Sequence, residues 1–158
     1  METWQGVVRW SEVDAAGIIY HAHVFDWFSE TRIAWLADHG LDYYQVLRPA
    51  GIELLVKEAQ ASFSHALELG DAFVVHATLS QVSPTRCTFS YGVALPRIAQ
   101  GFALTGTTEH AFVVEGRARR LDRYAPNIFQ KLRTNLEQPE VANETMRSGH
   151  ATSDTRSV

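Results

Sequence analysis

The sequence predicts an α+β domain in which an antiparallel sheet of about five strands wraps around one long helix. One stretch, residues 24–36, repeats apolar side chains at helical spacing over about half of its circumference. From there to about residue 114 the chain alternates as strands do, with short links that carry turn residues. Short links favour antiparallel neighbours, and a curved sheet around the helix buries both apolar surfaces.

The order of the elements follows from the same periodicities. A first strand is predicted at residues 4–10, where every second residue is Trp, Gly or Val, and the stretch SEVDAAG after it has the composition of a turn. The helix runs from Val24 to Leu36 and ends near Gly40, because glycine readily adopts the left-handed conformation of a helix cap. Four further strands are predicted at 52–63, 73–82, 85–95 and 102–114.

We expect one domain, residues 1–137, followed by a disordered tail. A chain of 158 residues has the size of a single ordinary domain. Residues 123–136 are suited to a short second helix, with Pro126 near its first turn. Residues 138–158 are polar and lack aromatic side chains, so disorder is predicted for them.

Composition and charge argue against several classes of protein. Apolar residues make up 46% of the chain and charged residues 20%, which is typical of a soluble globular protein. No apolar run approaches the ~18 residues of a membrane span, and the first ten residues do not resemble a secretory signal, so a cytoplasmic protein is expected. The formal net charge of −4 argues against a general nucleic-acid binder.

Residues that bind metals or supply a thiol nucleophile are sparse. The only cysteine, Cys87, lies in a strand-like alternation, where a buried free thiol is expected rather than a nucleophile. His21 and His23 are two residues apart, which is poor chelate geometry, and no acidic third ligand is suitably spaced. We therefore expect neither a metal nor a cofactor.

The most informative stretch is residues 8–32, VRWSEVDAAGIIYHAHVFDWFSETR, where an acid lies in a loop between a strand and an aromatic helix. This stretch resembles, without gaps, the motif of the acyl-CoA thioesterase branch of the hotdog superfamily. That branch contains the 4-hydroxybenzoyl-CoA thioesterases and the thioesterase associated with the Tol-Pal system. The matching residues are Val8, Arg9, Glu12, Asp14, Gly17, Tyr20, His21, Trp27, Phe28 and Arg32. The second and third strands of the family resemble residues 61–79, ASFSHALELGDAFVVHATL. The likeness as a whole covers residues 5–136.

The resemblance implies a hotdog fold and hydrolysis of an acyl-CoA or acyl-carrier-protein thioester to free acid and thiol. It also implies a homodimer with one continuous sheet, often paired again into a homotetramer, with active sites at the dimer interface. The catalytic acid of the family corresponds to Asp14. Its oxyanion contact, a backbone N–H at the start of the helix, corresponds to His21.

An independent physical argument supports this arrangement. Negative charge develops on the carbonyl oxygen during thioester hydrolysis, and the free N–H groups and dipole at a helix amino terminus stabilise it, typically by ~3 to 4 kcal/mol per donor. Asp14 then acts either as a nucleophile or as a general base, and the sequence leaves both open. Without the resemblance, an Asp before Ala-Ala-Gly is more typical of a turn.

Six residues are predicted to contact the substrate. Tyr20, Trp27 and Phe28 supply aromatic surface for the acyl group. Gly17 is expected to provide a backbone conformation or a close approach that a side chain would block. Ser29 stands where these enzymes often carry a helix acid, and is predicted to hold water near the substrate. Arg86 is a candidate contact to a phosphate of the thiol carrier, with an ordinary solvated arginine as the alternative.

Other charged residues in and after the motif have less specific roles. Arg32 falls inside the apolar stripe of the helix, so it must either extend to solvent or find a carboxylate. Arg9 and Glu12 are expected to be solvated or to pair with Arg32 across the dimer. Arg117, Arg119 and Arg120 of EGRARRLDR, residues 115–123, form a basic patch suited to phosphates or to an acidic carrier protein.

Two other functions remain open. A hotdog dehydratase or hydratase would pair His21 with a carboxylate such as Glu30 across the dimer. A non-catalytic module would bind the acyl thioester without cleaving it. The acid in the loop before the helix favours the hydrolase.

Overall fold

The computed structural model describes residues 2–137, with side chains from Trp4 onward. The strands are β1 (Glu2–Val7), β2 (Glu53–Phe63), β3 (Ala72–Val82), β4 (Arg86–Ala94), β5 (Leu104–Val114) and the short β6 (Arg117–Ala118). The helices are α1 (Val24–Asp38), α2 (Leu121–Tyr124) and α3 (Pro126–Thr134). Short 3-10 turns at Trp10–Glu12 and His21–His23 and a π-helical turn at Tyr43–Leu47 complete the described chain. The predicted disordered tail, residues 138–158, lies outside the described residues.

The strands form one antiparallel sheet in the order β1-β3-β4-β5-β2, with β6 beside β5. The predicted meander is correct for β3, β4 and β5. It is wrong for β2, which pairs with β5 from Glu53 opposite Val113 to Phe63 opposite Leu104. The reason is that β1 occupies the free edge of β3, so residues 64–71 carry the chain from one edge of the sheet to the other.

Helix α1 packs its aromatic side chains against the sheet. The Trp27 ring stacks on Phe73 of β3 with centroids 3.9 Å apart, and the Phe28 ring stacks on Tyr91 of β4 at 4.2 Å. Trp35 is fully buried as well. The predicted α+β class, with an antiparallel sheet wrapped around one long helix, is confirmed.

A glycine of β5 makes this packing possible, and a cysteine of β4 packs in the same core. A Cβ at Gly106 of β5 would overlap the ring of Phe28, so glycine is required for the helix to approach the sheet closely. Cys87 of β4 is buried, and burial raises the pKa of its thiol to about 12. The thiol is therefore protonated at neutral pH and is a packing residue, as expected.

None of the helices within residues 2–137 combines the length and the apolarity that crossing a membrane requires.

Candidate active site

Asp14 lies in a tight loop that main-chain hydrogen bonds close. Its N–H donates to the carbonyl of Ile18 at 3.0 Å, and the N–H of Gly17 donates to the carbonyl of Asp14 at 3.0 Å. Val13 and Ile19 form an antiparallel bridge at the base of the loop. Gly17 has a φ of 76°, and a Cβ there would meet open space. Gly17 is therefore needed for its left-handed backbone and not for a close approach.

The two carboxylate oxygens of Asp14 have different environments. Oδ1 accepts a hydrogen bond from the N–H of Ala16 at 2.8 Å, which is the geometry of an Asx turn. Oδ2 has no hydrogen-bond partner within residues 2–137, and the side chain is exposed. Asp14 therefore stabilises its own turn with one oxygen and presents the other to its surroundings.

A second acid, Glu12, anchors this loop to α1. Its buried carboxylate accepts hydrogen bonds from the backbone N–H of Arg9 at 2.8 Å, from the Arg9 guanidinium at 2.7 Å and from Nε1 of Trp27 at 3.1 Å. Burial raises the pKa of Glu12, but the hydrogen bonds from Arg9 and Trp27 outweigh it and hold that pKa below its usual value. The expectation of a solvated Glu12 is wrong, because the tryptophan in α1 supplies a buried donor. The alternative of a pair with Arg32 across a dimer stays a prediction.

The start of α1 lies next to this loop. A 3-10 turn, His21–His23, leads directly into α1, so the N–H of His21 precedes the first intrahelical hydrogen bond of the combined segment. The Tyr20 ring contacts the His21 ring with centroids 4.4 Å apart. Nδ1 of His23 lies 3.1 Å from a carboxylate oxygen of Asp26, so the imidazole of His23 is hydrogen-bonded to that side chain.

Asp14 and His21 line the same cleft, which has a volume of about 360 Å³. The other residues of its wall are Ile18, Ile19, Phe63, Ser64, His65, Ala66 and Leu67. The backbone joins the two sides of this cleft, because the N–H of Ile19 donates to the carbonyl of Leu67 at 2.8 Å. Residues 63–67 were not singled out from the sequence. Phe63, Ser64, Ala66 and Leu67 carry no chemical signature, and His65 is a single imidazole outside the motif. Only the path of the chain after β2 brings these residues beside Asp14.

The structure separates the predicted substrate-contacting aromatic residues into two groups. Tyr20 is 44% exposed and lies against His21, which lines the cleft, but Tyr20 is not itself part of the wall. Trp27 and Phe28 are buried in the core and are not part of the cleft wall in the single chain. Both rings stack on aromatic side chains of the sheet. Within one chain they hold α1 in position and do not contact the cleft.

Ser29 and Arg86 are not part of the wall of the Asp14 cleft in the single chain. The hydroxyl of Ser29 donates to the carbonyl of Phe25 at 2.9 Å, and the side chain is half-buried on α1. The guanidinium of Arg86 donates to the carboxylate of Glu109 at 2.7 Å on neighbouring strands. Its positive charge is therefore balanced locally. Within residues 2–137 no group of three metal-ligating side chains comes together.

Comparisons with known proteins identify the family of the chain. The model of the Thioesterase-like superfamily matches residues 8–147. A protein of Aquifex aeolicus (strain VF5), whose name assigns it provisionally to the esterases, is 34% identical over 110 residues, which are 70% of this chain and 83% of that protein. The 1,4-dihydroxy-2-naphthoyl-CoA hydrolase of Rippkaea orientalis (strain PCC 8801 / RF-1) is 23% identical over 134 residues, 85% of this chain and 96% of that protein.

A solved structure supports the fold. The DHNA-CoA thioesterase from Staphylococcus aureus superposes with a TM-score of 0.76 at 22% identity, over 84% of this chain and 89% of that chain. The hotdog fold is thereby confirmed. The chain belongs to the Thioesterase-like superfamily, and the expectation of a thioester hydrolase is confirmed at the level of that family.

Proposed function

We propose that this chain hydrolyses acyl-CoA thioesters, with Asp14 acting on a carbonyl whose oxygen is bound by the backbone N–H of His21. The observation that carries the proposal is that Asp14 and His21 line one cleft at the start of α1. A carboxylate and a helix amino terminus are the two groups that this reaction needs. Thioester hydrolysis by the family, and relatives named as acyl-CoA hydrolases, support the same assignment.

The chemistry follows from the surroundings of the Asp14 carboxylate and of the His21 N–H. The carbonyl oxygen gains negative charge as an oxygen adds to the carbonyl carbon, and the N–H of His21 with the helix dipole stabilises that charge until the C–S bond breaks. Oδ2 of Asp14 is the oxygen free to act, because Oδ1 is held by the turn. It either removes a proton from water, which adds to the carbonyl, or adds to the carbonyl itself to give a mixed anhydride that water then hydrolyses. Both routes release the thiol and the free acid.

The identity of the thiol carrier and the branch within the family stay predictions. Coenzyme A and acyl carrier protein share a phosphopantetheine arm, and several relatives are named 1,4-dihydroxy-2-naphthoyl-CoA hydrolases. The arginine-rich segment expected to meet phosphates lines a separate cleft of about 500 Å³ with Arg119, Arg120 and Arg123. In this cleft Arg120 is paired with Asp122, and Glu115 is also part of the wall, so Arg119 and Arg123 are its candidates for a phosphate contact. Arg86 is paired with Glu109.

We infer that the active unit is a homodimer formed along β2. This strand is 11 residues long and pairs with β5 on one side, while no strand within residues 2–137 pairs with its other side. An open edge of that length with apolar side chains on it is prone to pair with a second copy. Leu55 is 53% exposed, Val56 50% and Phe63 45%. Because Phe63 also lines the Asp14 cleft, a second copy on β2 would cover that cleft. The homotetramer stays a prediction of the family resemblance.

The test of this function is thiol release from a panel of acyl-CoA and acyl-carrier-protein thioesters by the wild type and by Asp14→Asn. Asparagine keeps the Oδ1 acceptor of the turn but removes the charge, so we expect kcat to fall at least ~100-fold without loss of folding. Asp42→Asn is the matched control, because Oδ1 of Asp42 accepts the same kind of turn hydrogen bond, from the N–H of Tyr44 at 2.8 Å, outside the cleft.

Two outcomes would contradict the proposal. Near-full thiol release by Asp14→Asn would remove Asp14 from the chemistry. Hydration of crotonyl-CoA without thiol release by the wild type would favour the hydratase, and binding of acyl-CoA with no turnover of any kind would favour the binding module.

A further inference from the structure

A second, smaller cleft lies on α1 about three helical turns beyond His21. It has a volume of about 180 Å³ and is lined by Arg32, Ile33, Leu36, Tyr43, Tyr44 and Leu54. Leu54 lies near the start of β2, whereas Phe63, in the Asp14 cleft, ends the same strand. The two clefts are therefore found at opposite ends of the surface between α1 and β2.

The surface between them is apolar. Ala61 of β2 is opposite Gly106 of β5, and Gly106 lies beneath Phe28, so Ala61 and the β2 residues on its face point toward the helix side of the sheet. The residues of that face are Leu54, Val56, Ala59, Ala61 and Phe63. Val56 and Phe63 are about half exposed, which leaves this face of the edge strand open to an apolar ligand.

Arg32 is the charged group at the far end of this surface. Its guanidinium donates to the hydroxyl of Tyr91 at 3.4 Å and to the hydroxyl of Ser29 at 3.5 Å, both long contacts. It is half-buried, and no carboxylate of residues 4–137 lies within ion-pair distance of it. The sequence predicted that Arg32 must reach solvent or find a carboxylate. In the single chain it lies against neutral hydroxyl groups instead.

A buried chain of neutral groups continues from Arg32 into the sheet. The hydroxyl of Tyr91 lies 2.9 Å from Oγ1 of Thr108, and that oxygen lies 2.8 Å from Nε2 of His110. Burial and the positive charge of Arg32 lower the pKa of His110 to about 4, although a backbone group of Leu54 raises it. His110 is therefore neutral at pH 7, and Arg32 is the single charge of the cluster.

We propose that Arg32 binds a carboxylate at the far end of the acyl group, so that the preferred substrates are thioesters of dicarboxylic acids. The inference rests on the proposed hydrolase, because it assumes that the thioester carbonyl lies at His21. A guanidinium binds a carboxylate through two parallel hydrogen bonds, and a half-buried arginine facing only neutral groups gains most from such a partner. The apolar face of β2 suits the methylene chain between the two ends.

The length of the acyl group follows from the helix. The guanidinium is at the level of Ser29, eight residues beyond His21, which corresponds to about 12 Å along the axis. Hydrogen bonds of ~3 Å at each end leave roughly 6 Å or more between the carbonyl and carboxylate oxygens. An adipyl group has this span.

The experiment compares thiol release from adipyl-CoA and from hexanoyl-CoA, which differ in the terminal carboxylate, with spontaneous hydrolysis subtracted. For the wild type we expect kcat/KM for adipyl-CoA to exceed that for hexanoyl-CoA by roughly 10-fold or more. Arg32→Gln should remove this preference mainly by raising KM for adipyl-CoA, with hexanoyl-CoA turnover within about 3-fold of wild type. Arg32→Lys should keep part of the preference, and Arg133→Gln, an exposed arginine of α3, should keep all of it.

The possible outcomes separate this inference from the proposed function. If the wild type hydrolyses hexanoyl-CoA in an Asp14-dependent way but shows no preference for adipyl-CoA, the assignment of Arg32 is overturned and the hydrolase stands. If no thioester of the panel is hydrolysed, the hydrolase itself fails. If Arg32→Gln loses both substrates equally together with the dimer, the partner of Arg32 is a carboxylate of a second copy and the inference is also overturned. The wild-type preference is informative even if Arg32→Gln does not fold.

Discussion

Oε1 of Glu12 lies 3.1 Å from Nε1 of Trp27, and this buried hydrogen bond joins the loop of Asp14 to helix α1. The two groups proposed for catalysis come from different elements, Asp14 from the loop and the N–H of His21 from the turn that begins the helix. Their relative position therefore depends on contacts such as this one. Glu12 is thus a positioning residue, since it touches the supports of the site and not the cleft itself.

Glu12→Gln tests this role. A glutamine offers one amide nitrogen where the carboxylate has an oxygen, so one of the donors from Arg9 or Trp27 loses its acceptor in a buried place. We expect the free energy of unfolding in urea to fall by roughly 2 kcal/mol. We also expect kcat for thiol release to fall while KM changes less, because the loop shifts relative to α1. Asp38→Asn, an exposed acid at the other end of α1, is the control, and an unchanged stability of Glu12→Gln would contradict the account.

Gly17→Ala tests the left-handed loop. At a φ of 76° an L side chain is strained even in open space, and the expected loss of unfolding free energy is roughly 1 kcal/mol. Gly101→Ala is a matched control, because Gly101 has a φ of 82°, open space around it and a position in the link between β4 and β5. The two variants should lose similar stability, and only Gly17→Ala should lose turnover. Equal turnover for both would show that the exact shape of the Asp14 loop does not matter.

The buried His110 predicts how stability depends on pH. Its pKa is lowered from 6.5 to about 4 in the folded chain, so between these values the unfolded chain binds more protons than the folded chain. The neutral imidazole therefore favours folding fully above pH 6.5, and its contribution is lost as the pH falls toward 4. The contribution of His110 to the free energy of unfolding changes by about 3 kcal/mol over this pH range. Urea unfolding from pH 7 to pH 4.5 should show a steeper loss for the wild type than for His110→Gln. Parallel curves would mean that His110 titrates normally.

Leu55→Glu tests the dimer along β2. Two copies paired along this edge bring their β2 side chains together, so two buried acids would oppose association. We expect the dissociation constant measured by sedimentation to rise at least ~10-fold, while the fold is retained because Leu55 is 53% exposed in the single chain. Leu69→Glu, at an equally exposed leucine in the segment after β2, should leave association unchanged. A monomeric wild type would overturn the dimer outright.

Local patterns predicted the elements well and the connections less well. The spacing of apolar residues located α1 and the long strands to within a few residues, because burial against one face imposes a period on the chain. The position of β2 beside β5 was missed, since pairing of distant strands depends on which edges are already occupied and not on local sequence. The contiguous motif predicts Asp14 and His21 as the catalytic pair, and the two residues line one cleft. Residues 63–67 and the link from Arg32 to His110 were not predicted, because contacts between distant strands assemble them.

The hydrogen bond from the N–H of Ile19 to the carbonyl of Leu67 means that the wall of the Asp14 cleft and the loop that carries Asp14 form one mechanical unit. A substitution that reshapes residues 64–67 to accept a bulkier acyl group will also displace the acid. Engineering a new substrate preference at this wall is therefore expected to reduce the rate on every substrate. Changes at the far end of α1, which share no backbone contact with the loop, offer the safer route.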